Sequence, residues 1–235
     1  MADGLPERTA ANRQVIARLF ATLEEHQLDT PSLCAGWTCR DVLGHLVMCI
    51  ELRLPRFLLE VVRDKGRPGT TSDRLARAYG RRPLPELLEV LRSRSTDAVS
   101  QPGVGVHGPF ADSCIHMRDV AIPLGLPTTP PSTDWVEVLD FLTTSRARAA
   151  GFLPRGRLDG LEIRPDDHHP RGRGQGALVT GSSEALALSV TGRPVLLDTL
   201  AGPGATTLRE RVLAAQRHQP GLDGRRAAGP ADPRP

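Results

Sequence analysis

The feature that most constrains this chain is a change of rhythm at Pro154. Before it, apolar residues recur at intervals of three and four between loops rich in Gly and Pro. After it, short alternating segments and Gly turns take over. The first spacing is that of helices buried on one side, and the second is that of short strands. The expected fold class is therefore α+β: an antiparallel four-helix bundle over residues 1–153, a small α+β domain over 154–217, and a tail over 218–235. The tail is rich in Gly, Pro, Ala and Arg, a composition expected to be disordered.

Element by element, residues 7–27 predict a helix on the spacing of Ile16, Leu19, Phe20 and Leu23. Thr38 is a good N-cap for a long helix over 39–64, which Gly66, Pro68 and Gly69 stop. Pro83 opens a helix to about Val99, with Leu84, Leu87, Leu88 and Leu91 on its apolar side. A Gly/Pro loop over 101–109 separates it from helices over 110–124 and 133–152, giving four or five helices in all. Strands are expected over 158–165 and 177–181, flanking Gly turns at 172–176. A helix over 184–190 capped by Ser182 or Ser183, a short strand over 195–197 and a last helix over 206–216 complete the reading.

Several functional classes are excluded by composition. The net charge is only +3, and acidic residues are interspersed with the basic ones, of which Lys65 is the one lysine. Aromatic residues make up 3%. There is thus no aromatic-basic platform for single strands and no concentrated arm for duplex DNA, so a nucleic-acid partner is not expected. No run of 18 apolar residues predicts a membrane span, and the first residues lack a signal-peptide pattern. A cytoplasmic monomer or homodimer is expected. The four cysteines, Cys34, Cys39, Cys49 and Cys114, form no Cys-x-x-Cys pair and read as free thiols, by default buried packing residues.

Three side chains stand out as candidates to carry chemistry. His45 sits mid-helix between Leu43-Gly44 and Leu46-Val47, and Asp112 and His116 stand four apart on a later helix, hence on one face. Two ligands at i and i+4 plus one from a facing helix are what a bundle needs to hold a metal in its core. Two imidazoles and a carboxylate suit zinc or another first-row divalent ion, and three protein ligands leave a fourth position open. By spacing alone, each histidine also reads as a core imidazole satisfied by one hydrogen bond, and Asp112 as a dipole partner near a helix start.

The segment Trp37-Thr-Cys-Arg-Asp41-Val-Leu-Gly-His45-Leu resembles the Gly-Trp-(Thr/Ser)-x-x-Asp-x-x-x-His-Leu signature of the mycothiol-dependent maleylpyruvate isomerase-like family, in the DinB/YfiT-like superfamily. Asp112-x-x-x-His116-x-x-Asp119 before Pro123-Leu-Gly-Leu-Pro127 is similar to that family's Glu-x-x-x-His-x-x-Asp segment. Gly160-Leu-Glu-Ile, Asp166-Asp167, the Gly172-to-Gly176 turn and Thr191-Gly-Arg193 resemble its sterol-carrier-like second domain. The resemblance spans about residues 8–216. It implies a DinB-like bundle in which His45, Asp112 and His116 hold a divalent metal, zinc first, with mycothiol as the thiol cosubstrate. Asp112 stands where the family carries Glu, a shorter arm by one methylene.

The resemblance further implies a metal-dependent enzyme that turns a small-molecule thiol on an electrophilic substrate, by isomerisation or S-transfer. In the same terms Arg193 is a candidate catalytic residue, facing a cleft and pairing with an anionic substrate group. Asp41 and Asp119 are candidate carboxylates behind the ligand imidazoles. Trp37 is expected to pack its loop on the bundle, and His107, His168 and His169 to be solvated loop residues. The alternative is a non-catalytic metal- or ligand-binding sensor that keeps the fold.

Overall fold

A computed structural model describes residues 4–168 and 171–217. The described residues are helical with one three-stranded sheet, an α+β fold. Among the described residues no helix is long and apolar enough to cross a membrane. The expected tail over 218–235 and His169 lie outside the described residues.

The helical part is more finely divided than its periodicity predicts. The helix expected over 7–27 is α1 (Leu5–Ala21) and a short α2 (Glu25–Leu28), the latter started by a capping box between Glu24 and Gln27. The long helix expected over 39–64 is two, α3 (Cys39–Glu51) and α4 (Leu54–Arg63), with Leu52 and Arg53 extended between them. Pro55 is the reason: it lacks the N–H that would bond the Glu51 carbonyl and its ring would strike it, so it starts a new helix at the second position. α4 leaves Leu54, Leu58, Leu59 and Val62 exposed.

The helix stops where expected, with Gly66 at φ 73° donating its N–H to the Val61 carbonyl, but Pro68 and Gly69 then open a further helix, α5 (Pro68–Gly80). α6 (Leu84–Ser93) ends earlier than expected, at Arg94. α7 (His107–Ala121) begins three residues earlier, taking His107, Gly108 and Pro109 into its first turn. The helix expected over 133–152 breaks into α8 (Ser132–Leu142) and α9 (Ser145–Ala149), because the Thr144 hydroxyl accepts the Ala147 N–H and caps a new start.

One core cluster joins α1, α3, α6 and the end of α7 through Phe20, Leu43, Val47, Leu87, Leu91 and Met117, all essentially buried. Burying each such side chain contributes about 1.5–3 kcal/mol. α3 and α5 approach much closer than ordinary helices. A Cβ on Gly44 would stand 2.2 Å from the Ala76 carbonyl and 2.4 Å from the Gly80 nitrogen. The glycine before His45 is therefore a contact between backbones.

A second cluster runs from α7 and α8 into the C-terminal segment, through Phe110, Trp135, Leu139, Ile163, Val179 and Leu186. There β1 (Leu161–Pro165) pairs antiparallel with β2 (Arg173–Gly174) and parallel with β3 (Ala177–Gly181). Gly176, at φ 135°, admits the Gly160 carbonyl 2.0 Å from where a Cβ would sit, which is what that turn demands. α10 (Ser183–Val190) is capped by the Ser182 hydroxyl and packs on α8, and α11 (Ala205–Arg217) is the last described element. The strand expected over 195–197 is instead the approach to a 3-10 turn over Leu197–Thr199. The edge of β3 is met by a single bridge, Thr180 to Ala201.

Candidate metal centre

His45 reaches the site from the middle of α3, and Asp112 and His116 from one face of α7. His45 Nε2 lies 3.6 Å from Asp112 Oδ2, and His116 Nε2 lies 3.9 Å from Asp112 Oδ1. The two imidazoles meet edge-on with centroids 4.9 Å apart. One donor atom from each of the three residues lies within 4.8 Å of the others. Two donors about 2.0–2.1 Å from one tetrahedral ion stand roughly 3.3–3.4 Å apart, so small adjustments of side chains already in place would close the set on a divalent ion. The donor set, two imidazoles and a carboxylate, fits such an ion.

Electrostatics favour a cation here. Burial pulls the His45 pKa down, but Cys49 and Asp112 outweigh it and raise it well above the ordinary imidazole value. Burial raises Asp112, and His45, His116 and Arg193 more than reverse this and hold it below the usual carboxylate range. The space between these groups thus stabilises positive charge, which a proton or a metal ion can supply.

Behind His116 lies a buried relay. His116 Nδ1 is 2.8 Å from Asp119 Oδ2. Arg193 donates from Nε and Nη2 to the two oxygens of Asp119, at 3.0 and 2.7 Å. Asp119 is fully buried, and Arg193 and His116 hold its carboxyl down to about 2 against the opposing effect of burial. An ionised Asp119 only accepts, so His116 Nδ1 donates to it, and Nε2 is turned toward Asp112. Burial disfavours the Arg193 charge, but the Asp119 carboxylate beside it lifts its pKa above the ordinary value.

The other sequence candidates fall in several places. Arg193 borders the cavity, but its fork is engaged by Asp119, and Nη1 donates to the Thr191 carbonyl. Asp41 does not stand behind His45. It accepts the Thr38 N–H at 3.0 Å while Thr38 Oγ1 accepts the Asp41 N–H, a capping box that starts α3. Trp37 does more than pack its loop: its ring lies 5.2 Å from His45 and 6.3 Å from His116, with Nε1 donating to Asp73. Asp73 and Arg77 of the unforeseen α5 hold this loop, Arg77 donating to the Gly36 carbonyl. His107 stacks on Phe141 in the first turn of α7. His168 is half-buried in the segment after β1.

Sequence reasoning missed two residues. Cys49, one turn after His45, brings Sγ to 3.6 Å from His45 Nε2. The spacing that singled out Asp112 and His116 also applies to His45 and Cys49. Cys34 is the second: burial pushes its thiol up to about 11, and Arg193, Asp119 and His45 all lie near enough to act on it.

The site opens on a cavity of about 750 Å³, within the range of small-molecule pockets. Trp37, His45, Cys49, Asp112, His116 and Arg193 line it together with apolar residues that include Phe57, Ile115 and Phe152. All four cysteines are free thiols. Residues 9–103 match the model of the mycothiol maleylpyruvate isomerase N-terminal domain family, a stretch that holds His45 and ends before Asp112, His116 and Arg193. No curated protein and no solved structure matches the chain.

Proposed function

We propose, from an N-terminal segment that belongs to the mycothiol maleylpyruvate isomerase N-terminal domain family, that the chain is a cytoplasmic metal-dependent enzyme using a low-molecular-weight thiol, mycothiol, on a small electrophilic substrate. The observation that carries the reading is the convergence of His45, Asp112 and His116 in the lining of a cavity of about 750 Å³. Their three donors would hold the ion, zinc first. A bound divalent ion would supply the positive charge that lowers the pKa of a thiol presented to it.

The chain's own residues do the rest. Asp119 fixes the tautomer of His116, Arg193 fixes Asp119, and Trp37 covers both imidazoles and limits water. In this reading Arg193 acts by positioning, and its two uncommitted N–H groups remain for an anionic substrate. The domain division at 153/154 puts this relay across the boundary. The reaction class is thiol addition: sulfur bonds to an electrophilic carbon and its proton passes to solvent or substrate. For an alkene, rotation and elimination return the thiol, and the net change is cis–trans isomerisation. An adduct that persists is S-transfer.

The test is elemental analysis of untagged protein alongside His116→Ala, followed by thiol-dependent turnover assays. About one divalent ion per chain, lost in the variant with any activity, is expected. Protein without metal after supplementation would refute the reading. The second reading, a non-catalytic metal-binding sensor, is favoured by one observation: a thiol of the chain itself stands beside the site.

A further inference from the structure

Three donors lie within 4.8 Å of one another here, and Cys49 stands just outside that set, beside His45, so that the candidate ligands form two matched pairs. Asp112 and His116 stand one turn apart on α7, and His45 and Cys49 stand one turn apart on α3. Each pair lies on one helical face, and both border the same cavity. From Zn–S of about 2.3 Å and Zn–N of about 2.0–2.1 Å, a sulfur and a nitrogen on one tetrahedral ion stand roughly 3.6 Å apart. Cys49 Sγ and His45 Nε2 are 3.6 Å apart in this chain. His45 Nε2 is at the same time 3.6 Å from Asp112 Oδ2, so the nitrogen that would bind the ion is flanked by the thiol on one side and the carboxylate on the other.

We infer that Cys49 is the fourth ligand of the metal centre, so that the resting site is closed by one thiolate, two imidazoles and one carboxylate. This rests on the metal reading proposed above and adds to it. On ligation the Cys49 S–H proton leaves to solvent as the sulfur–metal bond forms. An external thiol then gains the ion only by exchanging with Cys49: its sulfur bonds as it loses its proton, and Cys49 takes a proton back and withdraws. The same centre would thus be silent without its thiol and open in its presence. A side chain of one carbon and one sulfur is suited to that exchange, because little else need move.

Cobalt substitution reads the ligand directly. Full-length protein is loaded with Co(II), and its absorption is compared with that of Cys49→Ser, Cys34→Ser and His116→Ala. The expected result is an intense near-ultraviolet thiolate-to-cobalt band in the parent and in Cys34→Ser. In Cys49→Ser the band is lost, while about one cobalt per chain and the visible bands of a four-coordinate ion remain. Visible cobalt bands without the charge-transfer band in the parent would overturn Cys49 as a ligand and leave the three-residue site standing. A band lost in Cys34→Ser and kept in Cys49→Ser would overturn it in favour of the other thiol. Failure of the parent to bind cobalt, in protein whose circular dichroism shows it folded, would refute the metal reading and this inference with it. If Cys49→Ser is misfolded, Cys49→Ala in the same comparison decides the point.

Discussion

His116 and His45 face the same carboxylate, yet the chain supports them by different physical means. His116 is buried at the end of a relay, Arg193 to Asp119 to His116, that reaches into the C-terminal segment. Its tautomer is set by an ionised partner. His45 has no such partner: Nδ1 is a buried polar atom without a hydrogen bond among the described residues. Its position comes from packing, with Gly44 pressed against the backbone of α5 and Trp37 lying over the ring. One side of the site is fixed by charge and the other by shape. A rigid ligand opposite a less strictly held one is an arrangement that can admit an ion and exchange a fourth ligand.

The comparison can be broken hardest on the charged side. Asp119→Ala would leave Arg193 buried without its counter-charge, so a loss of about 3–5 kcal/mol is expected in urea denaturation. A loss below about 1 kcal/mol would show that the relay does not hold α7. Replacing the pair together, Asp119→Leu with Arg193→Met, is expected to recover much of the stability but not the metal affinity. The milder Asp119→Asn should weaken metal binding roughly 10–100-fold by competition titration, through the lost orientation of His116.

On the packed side, Gly44→Ala places a methyl 2.2 Å from a carbonyl and forces α3 and α5 apart. A loss of about 1–3 kcal/mol is expected, with metal affinity falling as His45 moves. Unchanged affinity in a destabilised Gly44→Ala would mean that shape is not what places His45. Smaller still is Thr38→Ala, which removes the hydroxyl half of the capping box at about 1 kcal/mol while leaving one metal per chain.

Much of the site was legible because its ligands lie at helical spacing. His45, Asp112 and His116 could be paired from i, i+4 periodicity and resemblance, and the structure brings all three together. The class of the fold was legible for the same reason. The breaks were not: apolar spacing continues through Leu52, Leu54 and Leu58, so the pattern cannot register the single missing N–H at Pro55. α5 was hidden because its start, Arg67-Pro-Gly-Thr, carries turn residues, and its burial is supplied by a glycine on another helix. Asp41 and Asp119 looked alike as charges one turn from a ligand. The first closes a local capping box with Thr38, a signal the sequence carries, whereas nothing local separates the second, which holds an imidazole, from an exposed helix charge. Arg193 lay beyond any local pattern, since its partner is 74 residues away.

The last test asks whether the packed side is sealed from water. Cys39 begins α3 with no exposed surface, and burial, with Asp119 nearby, pushes its thiol up to about 11. An unfolded thiol titrates near 8.5, roughly. Between these values the unfolded chain sheds the proton while the folded chain keeps it, so unfolding is increasingly favoured as pH rises. The stability attached to Cys39 is therefore intact below about pH 8.5, falls through the interval, and levels above about pH 11. Buried Cys114, and Cys34 with its own raised pKa, contribute to the same slope, so Cys39→Ala should flatten it in part. The measurement is the difference in urea midpoint between pH 7.5 and 9.5, chosen on either side of the free-thiol value of roughly 8.5, in parent and variant. Equal differences would show that Cys39 ionises freely in the folded chain. The start of α3 would then admit water, and the support of His45 would rest on Trp37 and α5 alone.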